Sequence, residues 1–342
     1  MSSLHKSVRK ALGFSTLLGG ALLLGGCGGG GSGPSVPATP VPTTAPGTLL
    51  ADEFNSGSLD GKRWTVLGST LNIQRTQMGN TPSFAQDSDG TRYMRVKLDS
   101  YLPTPSVRDG NSLEFLGTEV GGTMRFARGN GVSFESRMRL SAPNQAGMVA
   151  AMFLYSEKGI YGGTPPLLLD EIDHELLTTP LNSGSPYTWT NIYNDFILHQ
   201  PGQGSGDSYV NNPTKTEGLP EPIIATFNPS GWNTYRIEWK AGSVQWFIND
   251  TLIRTDTSAR VPDDALGVRF NIWAASAPPT GWAAAFSDTL KAATSAADNK
   301  TYSLDVDWIH VKSLDGSAAT TSPLVFSAPR TSGAPMAGYK GK

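Results

Sequence analysis

The stretch Leu169-Asp170-Glu171-Ile172-Asp173-His174-Glu175-Leu176-Leu177 alternates carboxylates with mostly apolar residues at a period of two. A strand sends successive side chains to opposite faces, so Glu171, Asp173 and Glu175 share one face, while Ile172 and His174 share the other. No helix puts all three carboxylates on one side. The rest of the chain between about 49 and 313 has few helical patterns and many short alternating runs bounded by Gly, Pro, Asn and Asp, which is the texture of an all-β sandwich. The clearest hairpin joins Asn233–Lys240 to Ser243–Asn249 through Ala241-Gly242, with Tyr235, Ile237 and Trp239 on one face and Val244, Trp246 and Ile248 on the matching face of its partner. These six read as core. Further strands are expected at Gly131–Leu140, Met148–Tyr155, Tyr187–Phe196, Gly267–Trp273 and Tyr302–Val311.

Three like charges in a row on a strand face repel one another and raise at least one pKa, an arrangement kept where a proton must be given and taken. Glycoside hydrolysis with retention makes that demand, with an ionised nucleophile and a protonated acid whose carboxyls stand about 5 to 5.5 Å apart. On a flat strand the α-carbons of Glu171 and Glu175 would be roughly 13 Å apart, so a bent, concave sheet is needed to lean the side chains together. Asp173 then lies between them and can hydrogen-bond to either. Taken alone, the same motif is equally the solvent-facing side of an acidic strand, and it is short enough to recur by chance.

The N-terminus reads as an export signal. Lys6, Arg9 and Lys10 precede an apolar run from Ala11 to Leu24, and Leu24-Gly25-Gly26-Cys27 follows as in lipoprotein signals. The run is too short and glycine-rich to span a membrane. Cys27 is the only cysteine, which favours a lipidated N-terminus and removes disulfides, cysteine nucleophiles and zinc-cysteine sites from the mature chain. The resulting division is a signal peptide at 1–27, a Gly/Pro/Ser/Thr linker at 28–48, one domain at 49–313 and a flexible tail at 314–342. The expected location is the bacterial cell envelope, lipid-anchored to a membrane, which is the outer membrane if the source has one. With 27 basic against 29 acidic residues and no basic cluster in the mature domain, nucleic acid is not an expected partner, and a neutral substrate fits better than a sulfated one. His199 and His310 have no metal-ligand spacing, and no G-x-S-x-G elbow is present.

The ordered set of segments resembles glycoside hydrolase family 16. It comprises Ala51-Asp52-Glu53-Phe54 with Trp64, Gly131–Arg139, Val149–Tyr155, Asp170–Glu175, Trp232–Trp239, Asn271-Ile272-Trp273 and Asp307-Trp308-Ile309. That resemblance implies a β-jelly-roll of two antiparallel sheets with a concave substrate cleft, a monomer, and endo-acting cleavage of a neutral β-glucan, β-1,3 or β-1,3-1,4 linked. It implies Glu171 as nucleophile, Asp173 as its assistant and Glu175 as acid/base, with no cofactor required for the chemistry. Glu119, Trp189, Asn191, Tyr193, Asn271 and Trp273 fall where family members line the cleft. Asp307 matches the side-chain ligand of a structural calcium that many members hold. The chain departs from the lichenase pattern at Leu169, where a Trp is usual, at Gly121, where an Arg is usual, and at His174, which is expected as a hydrogen-bonded core residue. A β-glucan transglycosylase would use the same residues. A carbohydrate-binding lipoprotein without catalysis is the alternative of another class, though it gains nothing from crowded charges that must be desolvated.

Overall fold

The computed structural model describes residues 47–68, 71–108, 111–158, 167–182, 187–199, 214–218, 227–257, 260–278 and 281–321, all within the compact unit Thr44–Lys342. Cys27, the export signal and almost all of the linker lie outside the described residues. A seven-stranded sheet runs in spatial order Thr214–Gly218, Tyr187–His199, Leu167–Leu177, Met148–Lys158, Gly267–Ala274, Glu119–Gly122, Trp64–Val66. An eleven-stranded sheet centres on Thr251–Asp256, Ser243–Ile248, Asn233–Lys240, Gly131–Leu140, Thr301–Ser313 and Arg92–Asp99. Pairing is antiparallel except where Thr76–Met78 runs parallel to Phe115–Gly117. This is a jelly-roll sandwich, as the alternating texture implies.

Period-two alternation places the core. Tyr235, Ile237, Trp239, Val244, Trp246 and Ile248 of the hairpin are all fully buried, and from the facing sheet Met152, Leu154, Ile172, Phe270 and Ile272 join them in one apolar cluster. Truncating one such Trp to Ala costs about 3 to 5 kcal/mol, so this interface carries much of the domain's stability. The buried indoles also make directional bonds. Trp246 Nε1 donates across the sandwich to the carbonyl of Asp173 at 2.8 Å. Close by, the buried Arg254 crosses from the eleven-stranded sheet to donate to Thr190 Oγ1 at 2.8 Å, while holding Asp256 at 2.8 Å.

The folded region extends past the point where the sequence suggests a tail. Ala319–Thr321 pairs with Arg125–Ala127, Ala318 is buried, and Asn130 Nδ2 donates to Asp315 at 2.7 Å. The expectation of a flexible tail from residue 314 is therefore corrected, with 322–342 outside the described residues. A three-residue strand with no apolar alternation leaves no trace in hydrophobic periodicity.

Candidate active site

Leu167–Leu177 is the third strand of the seven-stranded sheet, with Met148–Lys158 on one side and Tyr187–His199 on the other. Ile172 and His174 point into the sandwich, so Glu171, Asp173 and Glu175 occupy the outward face. Register aligns rows across this face. Glu175 lies between Ala151 and Trp189, Asp173 between Phe153 and Asn191, and Glu171 between Tyr155 and Tyr193. On the far side of Met148–Lys158, Ala151 pairs with Asn271 and Phe153 with Arg269, and these in turn pair with Glu119 and Gly121.

The three carboxylates are crowded and dry. Glu175 and Asp173 are buried and Glu171 is half-buried. Burial raises the pKa of each well above the usual carboxylate range, and the charge of a neighbour on the same strand raises it further: Asp173 acting on Glu171, Glu175 on Asp173, and Glu171 on Glu175. Glu171 and Asp173 share a hydrogen bond that favours the proton on Glu171 and the charge on Asp173. Among the described residues, Glu175 Oε2 has no hydrogen-bond partner. Each of these shifts favours the protonated form, and the Glu171–Asp173 pair sets a proton donor beside an acceptor.

Glu119 is fully buried rather than open to the outward face. It accepts from Arg269 Nη1 at 3.0 Å and from Asn271 Nδ2 at 3.2 Å, while Asn271 Oδ1 is left without a partner. Trp189 and Trp273 depart further from the expectation of open stacking platforms. Trp282 packs on both, with ring centroids at 4.6 Å and 6.3 Å, and the three indoles form a second apolar cluster with Ile73, Met78, Val149, Leu177, Ala275 and Ala285. Trp189 and Trp273 are both buried, Trp189 edge-to-face with Trp282 and Trp273 stacked beside it. Gln74 accepts from the backbone N–H of Ser276 at 2.6 Å and of Trp282 at 3.4 Å, which fixes this turn. Gly281 is required there, because a Cβ would lie 2.0 Å from the carbonyl oxygen of Ser276. Asn191 and Tyr193 hold their register positions, and their side chains lie outside what is described.

His174 is a core residue whose ring nitrogens have no hydrogen-bond partner among the described residues, which corrects the expectation of a hydrogen-bonded histidine. Its ring meets Tyr235 edge-on at 5.2 Å, and burial pushes its pKa down to about 3, so it stays neutral. Asp307 does not fit a calcium ligand. Its carboxylate is 2.5 Å from the Arg137 guanidinium, which already supplies a positive charge where a cation would have to sit. Among the described residues, the three carboxylates close enough to share one cation are Asp170, Asp263 and Asp264, and Lys158 already pairs with Asp264 at 2.7 Å.

Arg269 and Trp282 were not legible as site residues. Arg269 occupies an ordinary strand position, and Trp282 sits in an Ala/Pro/Gly-rich segment without period. The only signal for Arg269 is indirect: its register partner Gly121 lacks a side chain, and Arg269 lies across it, with Cγ 3.7 Å from where a Cβ would stand.

The sequence profile of glycosyl hydrolases family 16 matches residues 121–309, more than half of the chain. The chain belongs to that family, and with it to the glycoside hydrolases that act on O-glycosyl bonds. Among solved structures it is similar to a Bacillus licheniformis β-glucanase, at 18% identity over 78% of this chain and 98% of that one, with a TM-score of 0.52. It is also similar to a prokaryotic β-1,3-1,4-glucanase (lichenase) derived from a mouse hindgut metagenome, at 15% identity over 78% and 100%, with a TM-score of 0.52. A third is the catalytic domain of an endo-1,3-β-glucanase (laminarinase) from Thermotoga petrophila, at 14% identity over 77% and 96%, also with a TM-score of 0.52. At these identities the likeness is one of fold. No curated protein matches the chain in sequence.

Proposed function

We propose that this chain is a retaining, endo-acting hydrolase of a neutral β-glucan, β-1,3 or β-1,3-1,4 linked. The observation that carries the reading is the outward row Glu171, Asp173 and Glu175, dry and crowded, with Glu175 Oε2 unpartnered among the described residues. In this reading a Glu171 carboxylate oxygen attacks the anomeric carbon while Glu175 gives its proton to the leaving glycosidic oxygen, so one C–O bond forms as another breaks. Glu175, now ionised, takes a proton from water, and that water displaces Glu171 from the glycosyl ester with net retention. Asp173, the ionised partner in the Glu171 hydrogen bond, takes the Glu171 proton as Glu171 attacks and returns it when water releases Glu171 from the ester. The support for β-glucan is the company of fold: two similar structures are named for β-1,3-1,4- and 1,3-β-glucan, and another is a Bacteroides ovatus family 16 protein of a mixed-linkage glucan locus, in complex with a G4G4G3G product.

Reducing-sugar release from lichenan, laminarin, xyloglucan, agarose and carrageenan tests the substrate, and the anomer first formed tests retention. Release from agarose or carrageenan alone would overturn the β-glucan reading. Product sizes with an added acceptor oligosaccharide separate water from a sugar hydroxyl as acceptor, which distinguishes the hydrolase from a transglycosylase. We further propose that the enzyme works as a monomer at the bacterial cell envelope, held by lipid on Cys27 through the linker at 28–48. Cys27→Ser is then expected to move the protein from the membrane to the soluble fraction with unchanged specific activity.

A further inference from the structure

The outward face carries a cation that the proposed chemistry does not yet use. Arg269 rises from Gly267–Ala274 and reaches in two directions. Its Nη1 bonds Glu119 at 3.0 Å, and its guanidinium carbon lies 3.9 Å from the ring centroid of Tyr155, the register partner of Glu171. The Arg269 side chain lies across Gly121 on the next strand, with Cγ 3.7 Å and Nε 3.9 Å from where a Cβ would stand, ordinary contact distances. The side chain remains 13% exposed, against none for Glu119. Arg269 is thus paired directly with Glu119 and lies on the ring of Tyr155, whose register partner is Glu171.

We propose that Arg269 is a positioning residue for Glu171, its guanidinium lying on the ring of Tyr155 beside Glu171 and supplying from a neighbouring strand a positive charge that favours the attacking, ionised form of this carboxylate. The inference rests on the assignment of Glu171 as nucleophile. Among the described side chains, the groups facing Glu171 are Asp173 and Glu175 on its own strand, Tyr155 and Glu157 on Met148–Lys158, and Arg269 and Glu119 on the next two strands. Burial, Asp173 and Glu119 all push the proton onto Glu171, and the charge of Arg269 opposes them. Tyr155 stays a neutral phenol and hydrogen-bonds Glu157. A pair serving stability alone is the competing account, and buried ion pairs are weak stabilisers when set against the desolvation they demand.

The test uses the full chain and two substitutions, Arg269→Gln, which removes the charge, and Arg269→Lys, which keeps it. The first readout needs no substrate: the carboxyl ¹³C titration of Glu171, assigned by the signal that disappears in Glu171→Gln. The midpoint is expected to rise by about one pH unit or more in Arg269→Gln and to stay near wild type in Arg269→Lys. The second readout is the pH dependence of lichenan or laminarin cleavage, whose acid limb is expected to move up with that midpoint in Arg269→Gln and to return in Arg269→Lys. An unmoved midpoint in folded Arg269→Gln overturns the inference, and so does a loss of melting temperature with the acid limb in place. Should the Gln variant not fold, a wild-type midpoint in Arg269→Met overturns it equally. Failure of the underlying assignment has a different signature: Glu171→Ala that still cleaves, or whose lost activity azide does not restore, removes the nucleophile without touching the Arg269 titration.

Discussion

On the outward face of the eleven-stranded sheet, Asp305 is almost fully buried yet bonded to Arg95 at 2.8 Å and to Arg139 at 3.2 Å. Arg139 also holds Asp87 at 2.7 Å and stacks on Trp232 and Tyr93, and Arg137 holds Asp307. The outward face of the seven-stranded sheet places carboxylates at the same period and gives Glu171, Asp173 and Glu175 mainly one another. Both faces grow from one alternating pattern in one domain. The first disperses its negative charge into guanidinium groups and gains order. The second concentrates it, which costs folding free energy and keeps protons loosely enough held to be moved. Carboxylates paired with guanidinium groups therefore mark the supporting wall, and the row Glu171, Asp173 and Glu175, which lacks such direct pairing among the described residues, marks the working wall.

If that division is right, neutralising a carboxylate has opposite results on the two faces. The largest effect is expected from Glu171→Gln and Glu175→Gln: each lowers kcat by about 100- to 10,000-fold while the melting temperature stays or rises, because a crowded charge has been removed. Kinetics beside thermal melts check both halves, and a fall in melting temperature as large as the outer-face variants show would break the comparison. Asp173→Asn is expected to lower kcat by about 10- to 1000-fold and to displace at least one limb of the pH profile, since it changes both a charge and a hydrogen bond next to Glu171. On the other wall, Asp305→Asn should cost about 2 to 4 kcal/mol in urea melts and leave kcat within about twofold, because it takes the carboxylate from Arg95 and leaves Arg139 with Asp87 alone.

The smallest expected effect is in the pH dependence of stability. Burial raises the pKa of Glu175, so the native state holds a proton that the unfolded chain has lost, and stability falls as pH rises above about 4.3. Hydrogen bonding to Arg139 holds Asp87 below its usual range, so its contribution is present above about pH 4 and is lost as pH falls through the lowered pKa. Glu175→Gln should flatten the alkaline-side decline and Asp87→Asn the acid-side one. Denaturation midpoints from pH 3 to 8 read both, and equal slopes in the two variants would refute the opposition.

How much of this could be read in advance follows from which physical signal each part leaves. Gly131–Leu140 and Asn233–Lys240 have the expected bounds, and Met148–Lys158 and Tyr187–His199 run a few residues longer, because a half-buried strand writes its period into its sequence. The acidic face of Leu167–Leu177 is legible for the same reason. Trp189 and Trp273 could be placed on that outward face, but their burial depends on Trp282, which arrives on a turn held by Gln74 and permitted by Gly281. Tertiary contacts of that kind have no period to detect. Arg269 was hidden for a related reason, since its meaning lies in what Gly121 lacks on the next strand. His174 invited a satisfied hydrogen-bond account because buried polar groups usually have one, and here the Tyr235 ring edge occupies the space instead.

The bonds from Trp246 to the Asp173 carbonyl and from Arg254 to Thr190 have a mechanical consequence. Two sheets separated only by hydrocarbon resist slippage through the fit of their side chains. Two sheets pinned at fixed donors and acceptors cannot slip without breaking a bond whose partner has no water to replace it. A shift of one residue, roughly 3.4 Å, would leave both donors facing nothing. The pins therefore set the phase of one layer against the other, and they do so directly beneath the row of carboxylates. Wherever loops above the row are remodelled, the reacting groups keep their footing on a floor that is bolted rather than merely greased.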